Sequence, residues 1–278
     1  MRKKGKSFDD SAFLNNLSYR YFYNELYGIA ISRFIYENIP EEINVRFLEK
    51  MLIEQGKVLF FYDEDLGYTA LPYTNDGRLD IYNNPISRRA YATSGYHKKL
   101  NKDNSVIIYN NESRTNELPI LQYYALKLYR ADRAMDTNIN IQKTPIIVQC
   151  QENERLTVEN ALMKYEGNEW TIITTKNFNP ENFKVLNTDV PFISDKLHDI
   201  KSKIWNDAMT HLGIANLAIQ KKERLISDEI NKSQGGTIAS RQTALISRQE
   251  AIKKINSMFG LNITVKFNDN AAESEVIE

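Results

Sequence analysis

Few side chains of this chain are of the kinds that make or break bonds. His97, His198 and His211 are the three histidines, and Cys150 is the single cysteine. No histidine has another histidine or a cysteine three or four residues away, the spacing that puts two ligands on one helix face, so no metal site is expected. A lone cysteine supports neither a disulfide framework nor a thiolate cage, and Cys150 reads as a small, half-buried apolar residue of a reducing compartment. Asp189 followed by Asp199, Ile200 and Lys201 imitates the acidic-and-lysine set of metal-dependent nucleases, whose groups must converge on one cation. Asp199 and Lys201, however, stand two apart on a strongly periodic helix, roughly 200° around from each other, and cannot share a site. Gly5-Lys6-Ser7 ends like a phosphate-binding loop but lacks the upstream glycine and the preceding strand. The expectation is a protein that is not an enzyme, with no catalytic residue, metal or cofactor; a metal-dependent nuclease is the enzymatic alternative.

Charge narrows the partners. The 278 residues carry 36 Lys+Arg against 36 Asp+Glu, a net charge of zero. No whole-molecule field steers a polyanion, so any contact with phosphate must come from a local cluster. Cations gather at the start, where Arg2, Lys3, Lys4 and Lys6 stand together, and acids gather at the end, over 268–278. With little apolar content at either end, both read as solvated tails or as docking arms. Residues 7–16 are too polar for the apolar stretch of a secretion signal. The longest uncharged apolar run, 58–62, is far short of the roughly 18 to 20 residues of a membrane span, so a soluble protein is expected. The length suits one large or two small domains with a core that needs no disulfide or metal.

The elements that must position these groups are legible from periodicity. Residues 7–38 read as a long aromatic helix, with Ser7 as N-cap and Pro40 beyond its end. Phe13, Leu14, Leu17, Tyr21 and Ile29 follow helical spacing, and Tyr19, Tyr23, Tyr27 and Tyr36 add a second apolar stripe. Two stripes suit either a helix sandwiched inside one subunit or one that packs on its own core and on a neighbouring copy. Residues 44–55 read as a short capped helix closed by Gly56. From 57 to about 110 strand signals dominate, in KVLFFY, YTALPY, RLDIY and VIIYN, separated by turn sequences at 63–67, 75–77 and 83–85. Residues 118–142 are helical again, with Leu121, Tyr124, Ala125, Leu128 and Ala131 along one side. Residues 143–192 form a second strand-rich stretch. Then Ile193, Leu197, Ile200, Ile204, Ala208 and Leu212 recur at steps of three and four, one helix face stopped by Gly213. Its other faces carry Asp195, Lys196, Asp199, Lys201, Lys203 and Asp207. A helix over 216–231, a flexible polar stretch around Gly235 and Gly236, a helix over 241–259 and a strand in LNITVKF complete the chain.

Specific strings then point to a family. IPEEINVRFLEK at 39–50, VIIYNNE at 106–112, IQKTPIIV at 141–148, KYEGN at 164–168, NTDVPFISDKL at 187–197, IWNDAMTHLGI at 204–214, QKKERLISDEI at 220–230 and SRQEAIKKINSMFGLNITVKF at 247–267 follow one another in the same order as in the upper collar, or portal (head-tail connector), proteins of small short-tailed phi-29-type bacteriophages. The chain is identified as resembling that family over nearly its whole length.

The resemblance implies an α+β subunit of a cyclic ring, with long stem helices, a small antiparallel SH3-like wing and a strand-rich clip insertion. By correspondence, 1–7 is a basic arm, 8–56 stem and wing helices, 57–117 the β-rich wing, 118–142 a stem helix and 143–192 the clip. Residues 193–231 correspond to channel-lining stem helices, 232–247 to a channel loop, 248–267 to the C-terminal wing helix and strand, and 268–278 to an acidic tail. It further implies a homo-oligomeric ring, usually twelve-fold, at the unique capsid vertex of the virion, assembled in the host cytoplasm and away from membranes. Double-stranded DNA passes through it, without sequence recognition, during packaging and ejection. The implied partners are the major capsid and scaffolding proteins, the lower collar and tail proteins and the packaging ATPase, with or without a packaging RNA. Lys196, Lys201 and Lys203 become candidate channel cations, against the alternative of a solvated outer face paired with Asp199 and Asp207. Lys232, Gly235, Gly236 and Arg241 belong to the corresponding channel loop. Arg2, Lys3, Lys4 and Lys6 resemble an arm that meets a packaging RNA, the motor or DNA. A lower-collar adaptor ring on the tail is the structural alternative.

Overall fold

The computed structural model describes residues 17–142, 191–214 and 227–268. Helix α1 (Leu17–Ile31) leads into strand β1 (Phe34–Glu37) and helix α2 (Val45–Gln55). Six strands follow: β2 (Lys57–Asp63), β3 (Gly67–Leu71), β4 (Tyr73–Asn75), β5 (Ser87–Tyr91), β6 (His97–Asn101) and β7 (Ser105–Tyr109). Helices α3 (Leu118–Gln142), α4 (Ser194–Leu212) and α5 (Ser227–Phe259) and strand β8 (Thr264–Phe267) close the order. The chain divides into two compact units, residues 1–130 with 201–278, and residues 131–200.

In the first unit, strand β2 is apolar almost throughout because both of its faces are covered. Val58 and Phe60 point into the main core, while Leu59 and Phe61 join Tyr73, Ala90 and Leu100 in a second one. β2 is the middle strand of the antiparallel sheet β3-β2-β7, with Leu59 opposite both Leu71 and Ile107. The second antiparallel sheet, β4-β5-β6, supplies the other side chains of the smaller core. Helix α2 starts where the Asn44 side chain accepts the Phe47 amide at 2.9 Å and stops at Gly56, whose φ of 77° is left-handed. Along α5, Ala244, Ala251, Ile252 and Ile255 recur on one buried face against β7 and β8. In the second unit, Asn138 of α3 holds the start of α4: its Oδ1 accepts from the Ile193 amide at 3.0 Å and the Ser194 hydroxyl at 3.1 Å, and its Nδ2 donates to the Pro191 carbonyl.

The helices expected at 44–55, 118–142 and 193–213 stand where periodicity put them. Four expectations are corrected. The helix expected to run to residue 38 ends at Ile31, and Phe34–Glu37 is instead a strand paired antiparallel with Thr264–Phe267. Its partner lies more than 200 residues away, so no local pattern announces it, and aromatic residues suit strand as well as helix. Within α1 the tyrosine stripe turns inward: Tyr19 is buried, Tyr23 and Tyr27 pack against the core, and the Tyr27 hydroxyl donates to Glu54 at 2.7 Å. Leu17 and Tyr21 remain exposed on α1. The strand expected in 78–82 is a loop, folded around the Asp80 carboxylate, which accepts the Tyr82 and Asn84 amides. β5 and β6 formed without an apolar signal, because Arg89 and Lys99 face out while the inward positions mix Ala90 and Leu100 with Arg88 and Lys98. Finally, 232–247 is not a loop; it lies inside the 33-residue helix α5, whose later turns are held by packing on β7 and β8. Residues 143–190 of the stretch read as the clip, 143–192, lie outside the described residues, as do the expected basic arm over 1–7, residues 216–226 of the helix expected over 216–231 and the expected acidic tail from 269.

Candidate functional site

Lys196 and Lys203 are exposed on α4 and stand seven residues apart, two turns of one stripe. Exposed Asp199 lies between them, three residues from the first and four from the second. At that spacing a carboxylate moderates both cations, leaving a face of low net positive charge. Lys201 is oriented differently. Its ammonium sits 5.0 Å from the centroid of the Phe22 ring on α1, within cation–π range, so it is engaged with the protein's own aromatic helix. Half of the apolar stripe of α4 is also unlike the rest: Ala208 and Leu212 are buried, whereas Ile193 and Ile200 are exposed.

Arg241 has a structural task. Helix α4 ends in a Schellman motif, with the Ile214 amide donating to Met209 O at 2.9 Å and the Gly213 amide to Thr210 O at 3.0 Å. Two of its terminal carbonyls remain. Arg241 Nε donates to Gly213 O at 3.1 Å, and Arg33 Nη1 to Leu212 O at 3.3 Å. Two guanidinium groups thus cap the negative end of the helix dipole. The Arg241 guanidinium also lies 4.0 Å over the Phe267 ring. Gly213 is required here: its φ is +76°, and a Cβ would stand 2.8 Å from the Arg241 Cα.

Arg33 is itself almost wholly buried and pairs with Glu117, close to whose other oxygen lies His211 Nε2, at 3.5 Å. Burial alone would raise the Glu117 pKa, but the Arg33 charge and hydrogen bond, with His211 alongside, outweigh it and hold the carboxyl well below its usual range. A second buried pair joins α5 to α2. Arg248 and Glu49 are both 0% exposed, with Nε to Oε1 at 2.9 Å and Nη2 to Oε2 at 2.7 Å. Nη1 donates to Asn110 O at 2.7 Å and Ala244 O at 3.1 Å, and Nη2 to Asn110 Oδ1 at 3.1 Å. All five guanidinium donors are therefore used. The Tyr36 hydroxyl donates to Glu49 as well. Burial would lower the Arg248 pKa, but the Glu49 charge reverses this and raises it.

Two comparisons bear on what these elements belong to. The family model described as Phage Connector (GP10) matches residues 6–272. The chain belongs to the phage connector family. Its fold resembles that in the portal and tail of native bacteriophage P68, at 16% identity over 96% of this chain and 93% of that one, with a TM-score of 0.51. An HK97-family phage portal protein from Corynebacterium diphtheriae matches over 100% of both chains at 10% identity, with a TM-score of 0.46.

This connector is thus a portal-type structural component of a phage particle. Among the described residues no group of three or more His, Cys, Asp or Glu is placed to hold a metal, and no helix is long and apolar enough to cross a membrane. Of the connector's candidate cations, Lys196 and Lys203 share a stripe, Lys201 turns to Phe22 and Arg241 braces α4. Lys232, Gly235 and Gly236 fall in α5, and Arg2, Lys3, Lys4 and Lys6 lie outside the described residues. Arg33 and Arg248, which position α4 and α5, escaped sequence reasoning. Arg248 had left a signal: it stands on the Ala244–Ala251–Ile255 stripe, and a charge on a buried face requires a partner.

Proposed function

We propose that copies of this connector close into a ring of about twelve around an axial channel, which conducts double-stranded DNA into the head during packaging and out at ejection. The family match over residues 6–272 carries this reading. In it, α3 and α4 form the stem, the two three-stranded sheets with the end of α5 and β8 form the SH3-like wing, and 143–192 forms the clip. Lys196 and Lys203 face the channel. Duplex DNA carries one charge per roughly 1.7 Å, and roughly six to ten phosphate contacts already bind tightly, so two lysines per subunit in a ring suffice to hold it. Asp199 between them keeps that hold weak enough for passage, and the absence of base contacts keeps it independent of sequence. Around 232–247 the ring meets DNA closely enough to hinder backsliding, with Lys232 supplying charge. The arm at Arg2, Lys3, Lys4 and Lys6 meets the packaging motor or its RNA, the wing meets the major capsid and scaffolding proteins, and the clip meets the lower collar and tail.

Native mass spectrometry and negative-stain imaging of the purified chain test the assembly. An annulus near a dozen times 32.3 kDa is expected. A stable solitary subunit at micromolar concentration in every salt condition overturns the proposal. A ring found in virions only outside the shell would reassign it to a tail adaptor.

A further inference from the structure

Strand β7 is an outer strand of the sheet β3-β2-β7. In an antiparallel ladder only alternate residues turn their backbone groups to the partner strand. The Asn110 amide donates to Gly56 O at 2.9 Å, and the same phase continues through the pairs Ile108–Val58 and Val106–Phe60. Ile107 and Tyr109 therefore turn two amides and two carbonyls away from β2, and among the described residues no hydrogen bond reaches them there. An open edge of this kind is a template for another strand.

The edge opens into a cavity of about 170 Å³. Ile107 and Tyr109 line one wall, and Ser247, Glu250 and Lys254 of α5 line the other. Glu250 and Lys254 stand four residues apart on the helix, the spacing at which such a pair closes, yet no ion pair joins either to a described residue. Glu112 and Arg114, beyond the end of β7, line the same cavity and are likewise not paired with each other. Arg114 holds a left-handed φ of 58°, costly for a residue with a side chain, while its guanidinium lies 4.6 Å over the Tyr109 ring and Nη1 donates to Asn84 Oδ1 at 2.9 Å. Charges of both signs thus surround one gap without neutralising one another.

We infer that this groove seats an extended segment of another protein of the phage particle, which adds to the sheet along β7 as a fourth strand and meets Glu250 and Lys254 with side chains of opposite sign. The backbone groups of Ile107 and Tyr109 supply the attachment, and the charged walls select the sequence. A groove walled by a helix admits a lone strand, not the edge of a sheet with its own neighbours. Strands β1 to β8 of a second copy are each already bonded within a sheet, so none is free to enter. The inference deepens the reading of the wing as the face that meets other proteins of the head, and rests on it.

Hydrogen–deuterium exchange, resolved to single residues by fragmentation, compares the full-length connector alone with the connector in assembled heads. The Ile107 and Tyr109 amides should exchange about tenfold more slowly in heads, while those of Val106 and Ile108, bonded to β2 in both samples, do not change. Edge amides that stay fast in heads, or that are already slow in the purified assembly, would overturn the inference; the second result gives the edge to a neighbouring copy. Ile107→Pro set against Ile107→Ala supplies an independent reading. Both shorten the side chain, but only proline removes the outward amide, and it leaves the ladder to β2 intact. At equal thermal midpoint the proline variant should enter heads about tenfold less often than the alanine variant. Where proline lowers the midpoint, the exposed swap Glu250→Lys with Lys254→Glu replaces it, with the same loss expected. Unimpaired entry contradicts the inference. A chain that forms no ring and enters no head fails the channel reading and takes this inference with it, whereas a ring that enters heads with its β7 edge open fails this inference alone.

Discussion

Replacing Arg248 by methionine isolates what the fully buried pair contributes. Methionine approximates the apolar volume of the side chain but removes all five donors, leaving the Glu49 carboxylate at 0% exposure with only the Tyr36 hydroxyl from this cluster. A buried carboxylate stripped of its cation is left as an uncompensated charge. Removing one partner of a buried pair costs roughly 3–5 kcal/mol, a large share of the roughly 5–15 kcal/mol that holds a domain. Urea unfolding at fixed protein concentration is the assay. With a slope of about 2 to 3 kcal/mol per molar, the midpoint falls by about 1.5 M at pH 7. Arg248→Met combined with Glu49→Leu removes both charges and recovers most of the loss. A single variant within about 1 kcal/mol of wild type, or a double variant no better than the single, would refute the assignment of this pair as the tie between α5 and α2.

Gly213→Ala should destabilise the protein by more than about 2 kcal/mol in the same assay, since a side chain there meets both a left-handed φ and the Arg241 backbone; a loss under about 0.5 kcal/mol would contradict the close approach. The folded-state pKa of Glu117 is depressed, so the stability it contributes is complete above the ordinary carboxylate range and fades as pH falls below about 5. Glu117→Gln should flatten the acid limb of the stability profile between about pH 5 and 3, and an unchanged limb would exclude this carboxyl as its source. Lys196→Gln with Lys203→Gln should lower the salt dependence of DNA binding by about one unit of slope for each phosphate no longer neutralised, uniformly across DNA sequences, whereas Lys201→Gln should reduce thermal stability instead. An unaltered salt slope in the double variant would take both lysines out of the DNA path.

Much of the connector was readable in one dimension because its signals are local. The caps of α2, the stripe of α4 with its terminal glycine, and the apolar run of β2 each depend on residues within a few turns of one another. Ordered strings along the chain carried the family. What the tertiary structure alone decided is long-range or ambivalent. Strand β1 exists because a partner over 200 residues away satisfies its backbone, and an aromatic segment cannot declare in advance which backbone hydrogen bonds it will make. Arg241, read from sequence as a phosphate ligand, donates Nε to Gly213 O at the end of α4, a contact between elements that no local pattern announces. Gly235-Gly236 reads as a loop by propensity, and α5 runs through it because helix formation is cooperative and the packed turns downstream outweigh a local cost of about 2 kcal/mol.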